Sequence, residues 1–275
     1  MELRDLVRRA LEEDGAARDL TTLATVPADA RGRGVILAKQ ELVLSGLDLA
    51  RAVFEAVDPS LVFERLAGEG ERVPAGTPVG SVAGSARSLL SGERVALNFL
   101  QRLSGVATLT HRFVEAVAGT RARIRDTRKT TPLLRALEKR AVEAGGGVPH
   151  RAGLDSGVLA KDNHVRLAGS VEEATRRARA MAARIPVEVE VESLSQIEAA
   201  LLAGADMLLV DNFAPEDVRR AVAQVAGRVP VEASGGIRIE NVRAYAEAGV
   251  DFIAIGALTH SAPAADLSLE VEPLP

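Results

Sequence analysis

The fold is decided between residues 186 and 225, where the sequence reads PVEVEVESLSQIEAALLAGADMLLVDNFAPEDVRRAVAQV. After Pro186, valine and glutamate alternate as they do in a strand, whose side chains point in turn to opposite faces. A helix-like run over 194–203 ends at Gly204, a short apolar run reaches Val210, and a second helix-like run begins at Pro215. This order predicts parallel strands joined by right-handed crossovers.

The same rhythm extends from about residue 120 to 255 and predicts six strands that alternate with helices. The expected strands cover 121–126, 156–162, 186–191, 206–210, 230–233 and 252–255, and the expected helices cover 132–144, 171–183, 194–203, 215–225 and 239–248. No dinucleotide-binding fingerprint accompanies them. We therefore expect a closed or nearly closed α/β barrel rather than a doubly wound sheet.

The first hundred residues have a different pattern, which predicts a separate domain. Expected helices cover 1–14, 46–57 and 88–118, an expected strand covers 33–44, and the glycines and prolines of 61–84 predict short antiparallel strands. Because Ser104-Gly105 interrupts the last helical stretch, we predict a first domain at 1–105 and a barrel domain at 106–261. The C-terminal strand, within 262–275, is expected to return to the first domain.

Composition excludes several functional classes. The chain has no cysteine, which excludes disulfides, zinc–thiolate sites and cysteine nucleophiles. A net charge of −4 and only 3% aromatic residues argue against nucleic-acid binding. No apolar run reaches the roughly 18 residues that cross a bilayer, and the amphipathic start is not a signal peptide. These features favour a cytoplasmic protein with no nucleic-acid or membrane partner.

Charged and polar side chains follow the predicted strands at the end where barrel active sites lie. They belong to Asp126-Thr-Arg-Lys-Thr-Thr131, His150-Arg151, Lys161-Asp-Asn-His164, Asp211-Asn212, Ser234-Gly-Gly236 and Gly256-Ala-Leu-Thr-His260. Only four of the 34 basic residues are lysines, and two of these, Lys129 and Lys161, lie here. The set indicates a charged substrate, although salt bridges and helix caps would use the same residue types.

The strand after Pro186 makes a sharper prediction. Its valines should pack on the helices, so Glu188, Glu190 and Glu192 should point into the barrel. A buried carboxylate needs a cation, and Arg128, Lys129 and Lys161 are the expected partners. The alternative is an edge strand that leaves its glutamates in water.

Ser234-Gly-Gly236 predicts a phosphate site, because glycine lets the backbone approach an anion at the start of a helix. Gly256, after the following strand, strengthens the prediction, since late barrel strands commonly hold phosphate. The alternative is that these glycines only form tight turns.

Taken in order, these motifs resemble those of the quinolinate phosphoribosyltransferase family over most of the chain. The matching segments are Asp19-Leu-Thr-Thr22, Glu93-Arg94, Leu103-Ser-Gly105, Asp126-Thr-Arg-Lys-Thr130, Gly145-Gly-Gly-Val-Pro-His-Arg151, Lys161-Asp-Asn-His164, Glu188-Val-Glu-Val191, Val210-Asp-Asn212, Glu232-Ala-Ser-Gly-Gly236 and Ile255-Gly-Ala-Leu-Thr-His260. One departure is Pro149, where the family pattern favours a polar residue.

The resemblance implies an N-terminal α/β open-faced sandwich, joined by the C-terminal strand, and an incomplete TIM-like α/β barrel. It also implies the reaction of quinolinate with 5-phosphoribosyl 1-diphosphate, with Mg²⁺, to give nicotinate mononucleotide, pyrophosphate and CO₂ in NAD biosynthesis. A divergent paralogue that uses another base and a nucleotide-binding regulatory module are the alternatives.

The resemblance further implies roles for individual residues. The residues implied to bind quinolinate are Arg94, Thr127, Arg128, Lys129, His150, Arg151 and Lys161. Those implied for the phosphoribosyl group are Glu190, Asp211, Ser234, Gly235, Gly236, Ile255, Gly256, Ala257 and His260. Lys129, Lys161, Glu190 and Asp211 are the implied catalytic residues, and Glu190 and Asp211 the implied Mg²⁺ ligands. Arg94 is expected to enter the site of a neighbouring subunit, so a homodimer or a trimer of dimers is expected.

Overall fold

The computed structural model describes residues 2–182 and 184–275. The predicted helix limits at Met1 and Ala183 therefore lie outside the described residues. The chain divides into two compact units. The first contains 1–109, 132–146 and 262–275, and the second contains 110–131 and 147–261.

The first unit is built on a four-stranded antiparallel sheet with helices. Its elements are α1 (Leu3–Asp14), α2 (Leu20–Thr25), β1 (Arg31–Ala38), β2 (Leu42–Val43), α3 (Leu47–Val57), β3 (Val62–Arg65), β4 (Arg72–Val73), β5 (Pro78–Ser85), the first part of α4 (Ala86–Ala116), α5 (Arg135–Ala144) and, at the C-terminus, β12 (Leu267–Leu274). The sheet order is β12-β1-β5-β3, and β2 pairs with β4 separately. The alternating burial of β1 places Ile36 and Ala38 in a core with Leu100 of α4 and Leu267 of β12.

Helix α4 corrects the prediction that Ser104-Gly105 interrupts the helix, because it continues through both residues. Gly105 serves packing instead. A β-carbon on Gly105 would lie 2.1 Å from the backbone oxygen of Pro263. The missing side chain therefore lets the segment before β12 cross the helix at close range.

Helix α5 groups with the first unit, although the predicted barrel domain of 106–261 contains it. The physical reason is a buried ion pair. Glu138 of α5 is fully buried and accepts hydrogen bonds from Nε and Nη2 of Arg102 on α4, at 3.1 and 2.7 Å. The same guanidinium donates from Nη1 to the backbone oxygen of Ala262, 3.1 Å away. Arg102 thus ties α5 to the segment that leads to β12.

The second unit is an incomplete α/β barrel, as predicted. Its elements are the end of α4, β6 (Arg123–Arg125), β7 (Val158–Ala160), α6 (Asp162–Ala168), α7 (Val171–Met181), β8 (Val187–Val191), α8 (Ser195–Leu202), β9 (Met207–Asp211), α9 (Pro215–Val225), β10 (Val231–Ser234), α10 (Val242–Glu247), β11 (Phe252–Ala254) and α11 (Ala257–His260). Six parallel strands follow the order β6-β11-β10-β9-β8-β7. Helix α6 was not predicted, since its residues were interpreted as the end of a strand.

The described residues include no helix that is long and apolar enough to span a membrane.

The close approach at Gly105 predicts that Gly105→Ala destabilises the protein by about 1–3 kcal/mol, the usual cost of overpacking. Denaturant unfolding should show this loss. Gly68→Ala is the matched control, since a β-carbon there meets only a Glu71 carboxylate oxygen at 3.5 Å. Equal stability of the two variants would contradict the packing role of Gly105.

Candidate active site

The carboxyl ends of the barrel strands surround one cavity of about 890 Å³ that lies wholly in the second unit. Fifteen residues expected in the site line it. They are Thr127, Arg128, Lys129, His150, Arg151, Lys161, Glu190, Asp211, Ser234, Gly235, Gly236, Ile255, Gly256, Ala257 and His260. Arg94 is the exception, because it lies exposed on α4 in the first unit.

The glutamates of β8 point into the barrel. Glu188 and Glu190 are 7% and 6% exposed, and β8 lies between β7 and β9, so the edge-strand alternative is wrong. Lys161 Nζ donates to Glu190 Oε2 at 2.9 Å, as the predicted pairing requires. The backbone N–H of Asp162 donates to the other oxygen of Glu190, 3.2 Å away. This carboxylate is therefore fixed where α6 begins.

Two parts of the glutamate prediction are corrected. Glu192 follows the end of β8 and is exposed, although it still borders the cavity. Glu188 pairs with His150, whose Nε2 lies 3.0 Å from Glu188 Oε2, and not with an arginine or lysine of the predicted set. The sequence could not reveal this pairing, because residues 150 and 188 approach only when the barrel forms.

His150 belongs to a buried ion cluster, which we define as Arg125, His150, Glu188 and Glu232. Glu232 is fully buried, and its Oε2 accepts a hydrogen bond from Arg125 Nη1 at 2.7 Å. Its Oε1 lies 3.5 Å from His150 Nε2. The His150 backbone N–H donates to Oδ1 of buried Asp126, 2.6 Å away. His150 is thus held by both its ring and its backbone.

Two influences on the His150 ring oppose each other. Burial alone would lower the pKa of His150, but hydrogen bonds to Glu188 and Glu232, together with their charges, raise it to about 9. The Arg151 backbone N–H donates to His150 Nδ1 at 2.7 Å, which requires the neutral ring. With this contact and the Nε2–Glu188 contact, the geometry is that of the neutral ring with its proton on Nε2, while the two nearby carboxylates favour uptake of a second proton.

The cluster of His150, Glu188 and Glu232 also has metal-ligand spacing, with one ligand atom from each within 4.8 Å of the others. Arg125 and the His150 ring already contact these two carboxylates. Glu190 and Asp211, the predicted Mg²⁺ ligands, face the open cavity instead. Burial, followed by the charge of Glu190, raises the pKa of Asp211. A cation beside both carboxylates would relieve that repulsion, so the donor set fits Mg²⁺.

Arginine side chains supply positive charge to the cavity. Arg151 Nη1 donates to the backbone oxygen of Gly157 at 2.8 Å, which orients its guanidinium. Burial and, next, the nearby charge of Arg128 lower the pKa of Arg151. Two close guanidinium groups repel each other, so together they favour an anionic ligand.

The Ser234–Gly236 turn is fixed from both sides. A β-carbon on Gly235 would lie 2.2 Å from Asn212 Oδ1, and Gly235 and Gly236 have φ of +92° and +62°. The Asn241 side chain donates to the backbone oxygen of Gly236 and accepts the N–H of Arg238, at 3.2 and 2.7 Å. The turn therefore keeps a shape that only glycine adopts readily.

Gly256 makes room for two cavity side chains. A β-carbon there would meet Lys129 Cδ at 3.1 Å and His260 Cδ2 and Nε2 at 3.2 Å. Thr259 Oγ1 donates to the Lys129 backbone oxygen at 2.9 Å and so ties α11 to the loop after β6. This brings the Lys129 and His260 side chains to one end of the cavity.

Asp162, Asn212 and Glu192 were expected at this end of the barrel but were given no role, and all three line the cavity. Sequence reasoning missed the other cavity residues, which are Leu159, Leu209, Glu232, Ile237, Arg238 and Ala254. Glu232 lies inside a motif that carried the family resemblance, and that motif was a signal that could have found it. The apolar members resemble ordinary strand residues, and nothing in the sequence distinguishes them.

Comparison with known proteins identifies the chain's relatives. Residues 19–104 match the N-terminal domain of quinolinate phosphoribosyl transferase, and residues 106–270 match its C-terminal domain. The carboxylating nicotinate-nucleotide pyrophosphorylase of Mycobacterium leprae is 46% identical over 275 residues, which cover 98% of this chain and 96% of the relative. A probable enzyme of that name from Bacillus subtilis is 39% identical over 98% of this chain and 94% of its own. The crystal structure of NadC from Streptococcus pyogenes superposes with a TM-score of 0.94 at 40% identity, covering 98% of this chain and 96% of that one.

The raised pKa of His150 predicts a pH-dependent contribution to stability. Because the folded-state pKa, about 9, exceeds the ordinary 6.5, the contribution is complete below about pH 6.5 and is lost as pH rises through about 9. The difference in unfolding free energy between wild type and His150→Gln should therefore shrink over that range in denaturant titrations. A pH-independent difference for His150→Gln would contradict the ion cluster.

Proposed function

The chain belongs to the quinolinate phosphoribosyl transferase family, and on that premise we propose that the cavity of its barrel holds the complete catalytic machinery except Arg94. The enzyme is a carboxylating nicotinate-nucleotide pyrophosphorylase. It transfers the phosphoribosyl group of 5-phosphoribosyl 1-diphosphate to quinolinate, with loss of pyrophosphate and CO₂, in NAD biosynthesis. The observation that carries the site assignment is the single cavity that all fifteen predicted barrel residues line.

Quinolinate carries two adjacent carboxylates, and the cationic side chains provide donors for both. Arg128 and Arg151 present planar guanidinium groups, which bind carboxylates through two parallel hydrogen bonds. Lys161 lies 2.9 Å from Glu190, and an ammonium has further N–H groups for a substrate oxygen. Thr127 and Lys129 lie on the same loop as Arg128, where the Lys129 backbone N–H donates to Thr127 Oγ1 at 3.0 Å. A base with one carboxylate would use only part of this set.

The phosphoribosyl donor fits the ends of β10 and β11. Ser234 ends β10 and Gly235 and Gly236 follow it, while Gly256 and His260 follow β11. Their turns are shaped for the close approach of an anion, which supports binding of the 5-phosphate there. Ile255 and Ala257 flank Gly256 and complete this end of the cavity.

Glu190 and Asp211 support the transfer step. As the bond to pyrophosphate breaks, positive charge develops on the ribosyl carbon, and the pyridine nitrogen forms the new bond. The two carboxylates lie on β8 and at the end of β9, between the strand before Lys161 and the strands of the phosphate turns. Fixed negative groups at that place stabilise the developing charge. The donor hydroxyls can also bond to them.

Decarboxylation follows from the product of transfer. Once the ring nitrogen carries the ribosyl group, it is a cation and accepts the electron pair that the departing CO₂ leaves on the adjacent carbon. A proton then replaces the carboxylate on that carbon. Lys129 and Lys161 neutralise the carboxylates while the substrate is held, and no organic cofactor is required.

We assign the Mg²⁺ site to Glu190 and Asp211. One or two carboxylates together with substrate phosphate oxygens are the usual ligands of this ion. When bound, Mg²⁺ neutralises charge on the leaving pyrophosphate. We also place the enzyme in the cytoplasm, since its highly charged phosphorylated donor does not cross membranes unaided.

Arg94 supports a proposal about assembly. It is exposed on α4, beside Ser91 and near Arg18 and Asp19, which line the same surface groove of about 690 Å³ in the first unit. We propose that Arg94 completes the quinolinate site of a neighbouring subunit in a homodimer or a trimer of dimers.

Pure protein should consume quinolinate when 5-phosphoribosyl 1-diphosphate and Mg²⁺ are present. Arg128→Ala and Lys161→Ala should each lower kcat/KM. The fall should correspond to a loss of about 2–4 kcal/mol of transition-state binding energy, the scale of one key electrostatic contact. Lys39→Ala, whose lysine is a surface residue of the first unit, should leave kcat/KM unchanged. Unaltered kcat/KM in both cavity variants would overturn the site assignment.

Subunit sharing predicts complementation. Arg94→Ala and Lys161→Ala should each be nearly inactive alone. In a dimer of one Arg94→Ala subunit and one Lys161→Ala subunit, one site combines the intact Lys161 of the first with the intact Arg94 of the second. The other site lacks both residues. An equimolar mixture that exchanges subunits should therefore recover about a quarter of wild-type activity, since half the dimers are mixed and half their sites are intact. No recovery after verified exchange would show that Arg94 acts within its own subunit.

A further inference from the structure

The buried ion cluster lies directly beneath the quinolinate-binding residues, yet no proposed step uses it. Glu232 of β10 is its centre and is fully buried. Arg125 of β6 donates to Glu232 at 2.7 Å, and the Arg125 guanidinium also stacks 4.4 Å from the centre of the Phe252 ring on β11. Contacts from two other strands thus fix Arg125 and the carboxylate it holds.

The cluster holds His150 in turn. His150 Nε2 is hydrogen-bonded to Glu188 at 3.0 Å and lies within ion-pair distance of Glu232 Oε1 at 3.5 Å, and Asp126 accepts the His150 backbone N–H at 2.6 Å. The ring Nδ1 faces the Arg151 backbone nitrogen. Both ring nitrogens therefore face protein groups, so the His150 ring is held in place within the site.

Arg151 is the cavity residue that depends most directly on this support. It follows His150 in the chain, so a fixed His150 fixes the Arg151 backbone. At its other end, Arg151 Nη1 donates to the Gly157 backbone oxygen at 2.8 Å. A side chain anchored at both ends presents its remaining guanidinium donors in one direction, which is what bidentate carboxylate binding requires.

We propose that Glu232 is a positioning residue for quinolinate: held by Arg125, it fixes His150 and through it directs Arg151 toward a substrate carboxylate. The proposal rests on the proposed function, in which Arg151 binds quinolinate. It extends the site to Arg125 and Glu232, which the resemblance did not assign. Loss of the Glu232 charge would leave Arg125 without its buried carboxylate and His150 with Glu188 alone.

The first test measures the KM of each substrate for Glu232→Gln, which keeps the size of the side chain and removes its charge. We expect the KM for quinolinate to rise about tenfold, a change within the interaction energies of side chains that contact each other. The KM for the phosphoribosyl donor should change less than about twofold. Ser234 lies only two residues away, so the donor KM reports whether the phosphate turn has moved. Glu198→Gln, which removes a carboxylate paired with Arg228 on the barrel exterior, should change neither value.

A double-mutant cycle tests the route through Arg151. If Glu232 acts by directing Arg151, then adding Glu232→Gln to Arg151→Gln should raise the KM for quinolinate less than about twofold further. Independent, additive effects of the two substitutions would overturn the proposed route. A purely structural role of Glu232 would raise both KM values of the single variant together.

The outcomes separate this proposal from the proposed function. Wild-type protein that does not consume quinolinate would contradict both. Active wild type with equal KM changes for the two substrates, or with none, would overturn only the positioning role. Should Glu232→Gln not fold, as judged by circular dichroism, Arg125→Lys is measured in the same way. It keeps the charge but shortens the side chain, which weakens the contact with Glu232. An unchanged KM for quinolinate in that variant would also overturn the proposal.

Discussion

Carboxylates buried inside a barrel require cations at fixed positions, and the second unit is arranged around that requirement. An unpaired buried charge costs several kcal/mol, so each inward glutamate needs a nearby positive or donor group. Glu188 and Glu232 meet it with His150 and Arg125, and Glu190 meets it with Lys161. The deeper pairs neutralise one another. Arg128 and Arg151 line the cavity above these pairs and add positive charge to it.

The strand order explains how one cavity serves two anionic substrates. Lys161 follows β7, Glu190 lies on β8, Asp211 ends β9, and the glycine turns lie at the ends of β10 and β11. Arg128 follows β6, which pairs with β11. The carboxylates therefore separate Lys161 from the glycine turns, where we propose that phosphate binds. This sequence of charges suits a reaction in which positive charge develops between a held base and a departing anion.

Residue patterns predicted the local features well and the long-range contacts less well. The alternation in 187–191 correctly places Glu188 and Glu190 inside the barrel, because the faces of a strand follow from its period. It did not reveal His150 as the partner of Glu188, because no spacing rule links residues 38 positions apart. The prediction that the helix is interrupted at Gly105 was wrong for a related reason. A glycine between helical residues resembles a helix end, but here it permits the close passage of Pro263, which is far away in sequence.

The sequence by itself determined the alternation of strands and helices, the inward direction of the β8 glutamates, and the motifs that identify the family and its reaction. These properties depend on residue periods and on local order along the chain. Only the tertiary structure decided which cation neutralises each buried carboxylate, that α5 packs with the first unit, and that Arg125 and Glu232 support His150. Those contacts join residues on different strands and helices, and their distances exist only once the sheet order is set.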